Sequence, residues 1–171
     1  MSFVGASRPA FYQYFSDLHH LMELLLEDLR ADILSVATPW LEGAGHPVPL
    51  LQETLSGLVS ICYKRGPVLR AIADASVTDE RLEKVWAKFL EDFDDVVTQK
   101  IEQQQSEGLI AEFPARPVAI ALNRLDVSMI IEQFGRRPRG NPQAVQGSLT
   151  RIWISTLYGA DALSQLARSL R

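Results

Sequence analysis

The stretch RPVAIALNRLDVSMIIEQF, residues 116–134, together with PQAVQGSLTRIWISTLY, residues 142–158, decides how this chain folds. In the first, Val118, Ile120, Leu122, Leu125, Met129, Ile130, Ile131 and Phe134 are apolar; in the second, Val145, Leu149, Ile152, Trp153, Ile154 and Leu157. Neither set alternates as a strand would, and neither stays on one helical stripe. A helix that is apolar on two faces is buried on two faces. One face meets the chain's own core and the other calls for a partner. Asn141-Pro142 opens the second helix as cap and first position.

Working back toward the amino end, the pattern stays helical. Asp79 and Glu80 suit the start of a helix whose stripe is Leu82, Val85, Trp86, Phe89, Phe93, Val96, Val97 and Ile101, with Gly108 as its stop. A helix is expected from about Leu50 to Tyr63, ended near Gly66 and Pro67, with a shorter one over about 68–75. Pro39, Gly43, Gly45, Pro47 and Pro49 mark a loop. Before it, Leu18, Leu21, Met22, Leu25, Leu29 and Ile33 recur at helical spacing to about Ala37, behind Asp17 as N-cap. Residues 8–14 form a separate short helix capped by Ser7. Residues 160–170 add a terminal helix.

Composition bounds the function. The 171 residues are 47% hydrophobic and 22% charged, enough to build a core without staples. One cysteine, Cys62, excludes an internal disulfide and fits a reducing compartment, read here as the cytoplasm. No apolar run reaches spanning length. The net charge of −4 argues against non-specific nucleic-acid binding. Residues 1–40 set Arg8 and Arg30 against Asp17, Glu23, Glu27, Asp28 and Asp32, the reverse of a usual duplex-binding face.

Chemistry-bearing motifs are few. His19 and His20 point about 100° apart on a helix and cannot share a metal as an i, i+4 pair could, and His46 lies in a loop, so no metal or cofactor is expected. No phosphate loop, nucleophile elbow or carboxylate dyad occurs, so an enzyme is not expected. Cys62 reads as a small buried residue. Arg136, Arg137 and Arg139 read as a solvated basic loop. Asn123, inside an apolar helix, needs a partner, since an unpaired buried amide costs about 1–3 kcal/mol. Trp153 needs one for its indole N–H. Asp126 is expected at the surface beside Arg124 or Arg151, with a pocket position at raised pKa as the other reading.

The run Gly5-Ala6-Ser7-Arg8-Pro9-Ala10-Phe11-Tyr12-Gln13-Tyr14-Phe15 resembles the recognition helix of TetR-family transcriptional regulators. The runs Ala121–Asp126 and Arg151–Gly159, and the segment Trp86-Ala87-Lys88-Phe89, are similar to the ethionamide-regulator branch of that family. The resemblance spans Gly5 to about Gly159. It implies an all-α fold with residues 1–40 as a partial helix-turn-helix head (recognition helix and following helix only) and 41–171 as a ligand-binding and dimerisation domain. It also implies a homodimer that binds operator DNA and is released by a small lipophilic effector. DNA contacts would come from Ser7, Arg8, Tyr12, Gln13 and Tyr14. The effector channel would be walled by Leu51, Leu55, Leu58, Trp86, Phe89, Phe93, Asn123, Asp126 and Trp153. The dimer would form through Ile130, Ile131, Phe134, Val145, Leu149, Ile152 and Leu157. Leu51 stands where the branch has a wall tryptophan, Asp126 where it has a second asparagine, and Leu18 where the family has a phosphate-binding lysine. The family carries two helices before this point, and four residues precede Gly5, so a start further upstream is expected. The alternative is a headless ligand-binding protein, or heterodimer partner, that does not bind DNA.

Overall fold

The computed structural model describes the backbone of residues 8–169 and the side chains of residues 18–162 and of Arg168. Five helices account for nearly all of it: α1 (Arg8–Glu42), α2 (Pro47–Ser76), α3 (Glu80–Ser106), α4 (Ala115–Phe134) and α5 (Pro142–Ser169). Among the described residues there is no strand. None of the described helices is long and apolar enough to cross a membrane.

Helix α2 is the centre, packing against each of the other four. Two glycines permit this approach. A Cβ at Gly57 would lie 2.6 Å from Val36 Cβ on α1, and one at Gly66 would lie 2.6 Å from the Phe134 carbonyl oxygen at the end of α4. The core that results runs through Leu29, Leu51, Leu55, Ile72, Ile101, Phe134, Leu149 and Ile154, each almost wholly shielded. Burial of such side chains is worth about 1.5–3 kcal/mol apiece and dominates the fold.

The caps follow from local chemistry. Asp79 accepts from the Arg81 and Leu82 N–H groups at the start of α3. Asn141 accepts from Gln143 and Ala144 before α5. Gly108 takes φ +74° just past α3, where a side chain would be strained, and the Leu109 and Ile110 N–H groups return to the Gln104 carbonyl. Gly159 (φ 83°, ψ 168°) kinks α5, so 160–169 is a separate terminal helix, as its sequence implies.

Three expected breaks do not occur. Residues 8–42 form one helix, with no turn at Asp17. Phe15-Ser16-Asp17 contains neither glycine nor proline, so nothing in the backbone obliges the i→i−4 ladder to stop. Pro39 lies inside α1, where the helix continues far enough to bury Trp40 at 2% exposure. Gly66 and Pro67 lie inside α2. The Pro67 ring is exposed, leaving its side of the helix open to water, while Gly66 is held against α4.

Ion pairs alter the charge picture of the amino-terminal segment. Arg81 pairs with Glu23, and Arg65 reaches both Asp28 and Asp32. These cations from α2 and α3 meet part of the acidic charge of the segment, while Asp79 comes against His19. Arg30 in turn pairs with Asp92. Among the basic-loop arginines, Arg139 is not simply solvated: its guanidinium sits 5.1 Å from the Tyr63 ring centroid.

Candidate effector cavity

All five helices contribute to one apolar cavity of about 100 Å³. From α2 come Leu51, Leu55, Leu58 and Cys62, from α3 Phe89 and Phe93, from α4 Asn123 and Asp126, and from α5 Trp153. Eight of the nine wall positions expected from the sequence thus meet around one space. Trp86 does not. Its ring stacks on that of Phe89 at 5.4 Å and 16°, and Phe89 rather than Trp86 lines the space. Phe89 meets Phe93 edge-on at 5.1 Å, giving the α3 wall a rigid aromatic surface.

Helix α1 supplies a wall the sequence reading missed. Ile33, Leu34, Ala37, Trp40 and Leu41 line the cavity. Trp40 was hidden by Pro39, which reads as a helix breaker. Its indole meets that of Trp153 edge-on at 5.9 Å, and its N–H donates to the Tyr158 hydroxyl at 2.8 Å, which donates to Gln104 Oε1 at 2.6 Å. Lys100, buried on α3, donates to the Leu41 carbonyl at 2.9 Å, placing a cation at the negative end of α1.

Asp126 is the main departure from expectation. It is buried at 6% exposure, not solvated, and pairs with neither Arg124 nor Arg151. Its Oδ1 accepts the Trp153 indole N–H at 2.9 Å. Arg124 instead makes a two-pronged contact with Asp94, 2.9 and 3.2 Å, and Asn123 Nδ2 donates to the same carboxylate at 2.9 Å. Position decides this: 123 and 126 both line the cavity, while the exposed Arg124 reaches in to the buried Asp94. Burial pushes the Asp126 carboxyl up to about 7, with the Trp153 bond offsetting part of the rise. Burial, with Asp126 adding to it, pushes the Cys62 thiol up to about 12, so Cys62 remains an unreactive thiol.

The set expected for dimerisation is corrected. Ile130, Phe134, Val145, Leu149 and Leu157 are each 4% exposed or less within one chain. They belong to the chain's own core and offer nothing to a partner. Ile131 and Ile152 are half-buried. The outward faces hold other residues: Ile120, Ala121, Leu125 and Ser128 on α4, and Gly147, Ser148, Arg151, Ile152 and Ser155 on α5. The expected DNA contacts fall outside what is described. That applies to Ser7 and to the side chains of Arg8, Tyr12, Gln13 and Tyr14, although the backbone of the last four is helical.

Against known families, the model described as "Transcriptional regulator EthR, C-terminal domain" matches residues 51–159. No curated protein matches the chain. The matched segment contains every cavity residue contributed by α2 to α5 and stops at the Gly159 kink.

Proposed function

Since the chain belongs to the EthR C-terminal-domain family of transcriptional regulators, we propose that it is a TetR-type repressor whose homodimer holds operator DNA and lets go when a small lipophilic molecule enters the five-helix cavity. The carrying observation is that one uninterrupted helix joins the cavity to the amino-terminal segment. Ile33, Leu34, Ala37 and Trp40 touch the space, and the same helix runs back to Arg8, a length of about 50 Å at 1.5 Å per residue. A cavity of about 100 Å³ is smaller than the ~150 Å³ that holds a benzene ring. An elongated ligand must therefore move its walls, and a small tilt of α1 at the cavity is a larger displacement at its far end. The ligand shifts the equilibrium only by its preference for the widened form.

Operator reading by a dimer requires two recognition elements about 34 Å apart. The outward faces of α4 and α5 are the surfaces left for pairing. The test is a gel shift with the DNA upstream of its own gene, with and without lipophilic compounds. Retardation that these compounds reverse is expected; DNA left free at every protein concentration would overturn the repressor reading. In that event the continuous α1, which has no helix-turn-helix break among its described residues, would favour the second reading: a ligand-binding partner that pairs with an intact relative and weakens its hold on DNA.

A further inference from the structure

We propose that the effector carries a protonated amine at one end of an apolar body, and that the Asp126 carboxylate is the group that receives it. The inference rests on the cavity being the effector site and concerns which chemistry enters it. Among the described residues that line the cavity, Asp126 is the only carboxyl, and the only other titratable group is the Cys62 thiol. Its Oδ1 takes the Trp153 N–H, and Oδ2 accepts no hydrogen bond from any described residue. Among the described residues no arginine, lysine or histidine lines the space. The guanidinium of Arg124, next to Asn123 in the chain, is held by Asp94.

The hydrogen-bond donors of the lining point the same way. Trp40 gives its N–H to Tyr158, Trp153 gives its own to Asp126, and Thr54 gives its hydroxyl to the Ala37 carbonyl. Asn123 Nδ2 is turned toward Asp94, outside the cavity. What remains for a ligand is an acceptor with a latent negative charge in an otherwise greasy chamber. Above about 7, where Asp126 is ionised, a carboxylate or carbonyl headgroup would find no free hydroxyl, ammonium or guanidinium donor among the described lining residues, and an anion would face the Asp126 charge directly. A neutral hydroxyl would satisfy one lone pair without balancing the charge. An ammonium does both, and a buried carboxylate without a cation carries a desolvation cost that such a ligand removes. Position 126 is therefore the one that sets headgroup preference here.

The test uses three ligands that share a six-carbon tail: n-hexylamine, n-hexanol and n-heptanoate. Each is titrated calorimetrically into the full-length protein and into Asp126→Asn, at a pH above about 7 where Asp126 is ionised. The amine should bind wild type at least about tenfold more tightly than the alcohol, as a charge-assisted bond gives, and the acid should bind weakest. In Asp126→Asn, which keeps an oxygen for the Trp153 N–H, the amine's advantage should vanish while hexanol binding persists, showing the chamber intact. Alcohol or acid binding as well as the amine in wild type, or an amine affinity unmoved by the substitution, would overturn the headgroup inference and leave the cavity reading standing. Binding by none of the three would overturn both.

Discussion

Asp126 has a thermodynamic consequence of its own. Its folded pKa, about 7, lies above the ordinary carboxylate value of 3.8, so the folded state holds a proton that the unfolded state releases. Between those two values stability falls as pH rises, and above about 7 the full penalty is present. Three units or so correspond to about 4 kcal/mol as an upper bound. Asp126→Asn removes that penalty but leaves a carboxamide N–H₂ without a described partner, a cost of about 1–3 kcal/mol. The variant should therefore be less stable than wild type near the unfolded pKa and more stable above about 7. Urea unfolding at a series of pH values reads this crossing directly, and parallel profiles would show that the carboxyl is not buried as described.

At the level of helices, the close approaches of α2 set what can change. A methyl at Gly66 would meet the Phe134 backbone at 2.6–2.7 Å, atoms that cannot rotate away. Gly66→Ala gains up to about 1 kcal/mol of helix propensity but forces α2 from α4 at about 1–3 kcal/mol. A net fall in the denaturation midpoint is expected, and a rise would mean that the two helices do not touch there. The same glycine shows where sequence reading stopped. The start of α3 at Asp79, its end at Gly108, the start of α5 at Pro142 and the Gly159 break were all legible, because caps and glycines there act through neighbouring residues. The joins at Asp17, Pro39 and Gly66-Pro67 were not, because local breaker signals yield to distant contacts: Trp40 against Trp153, Gly66 against Phe134. The cavity shows the same division. Leu51, Leu55, Leu58, Phe89, Phe93, Asn123, Asp126 and Trp153 were gathered by resemblance to a family. The α1 wall and Cys62 went unseen because periodicity marks a buried face without saying what it surrounds. Periodicity also could not tell which apolar face of α4 and α5 meets the core, so Phe134 and Leu149 were assigned to a partner when the chain covers them itself.

For the whole molecule, the question is what covers the other faces of those two helices. Gly147 sits in the interior of α5, exposed, and a Cβ there would meet nothing within 4 Å. Glycine in a helix interior costs about 1 kcal/mol relative to alanine, and no contact within the chain requires it. A second subunit approaching closely would. Ala121 and Ser128 on α4, and Ser148 and Ser155 on α5, extend the same low relief, while half-buried Ile120, Leu125 and Ile152 supply apolar area around it. Stable pairs bury about 1,200–2,000 Å² in total, which two helices from each subunit can provide. Gly147→Trp places a large ring at the centre of this surface without touching the chain's own core. It should leave helicity and thermal unfolding near wild type at low concentration, yet shift sedimentation from dimer toward monomer. Because one subunit meets only one half-site, the same variant should retard operator DNA much more weakly. A Gly147→Trp protein that sediments as wild type would place the contact elsewhere, and a wild type that is monomeric at working concentration would remove the geometry on which paired DNA reading depends.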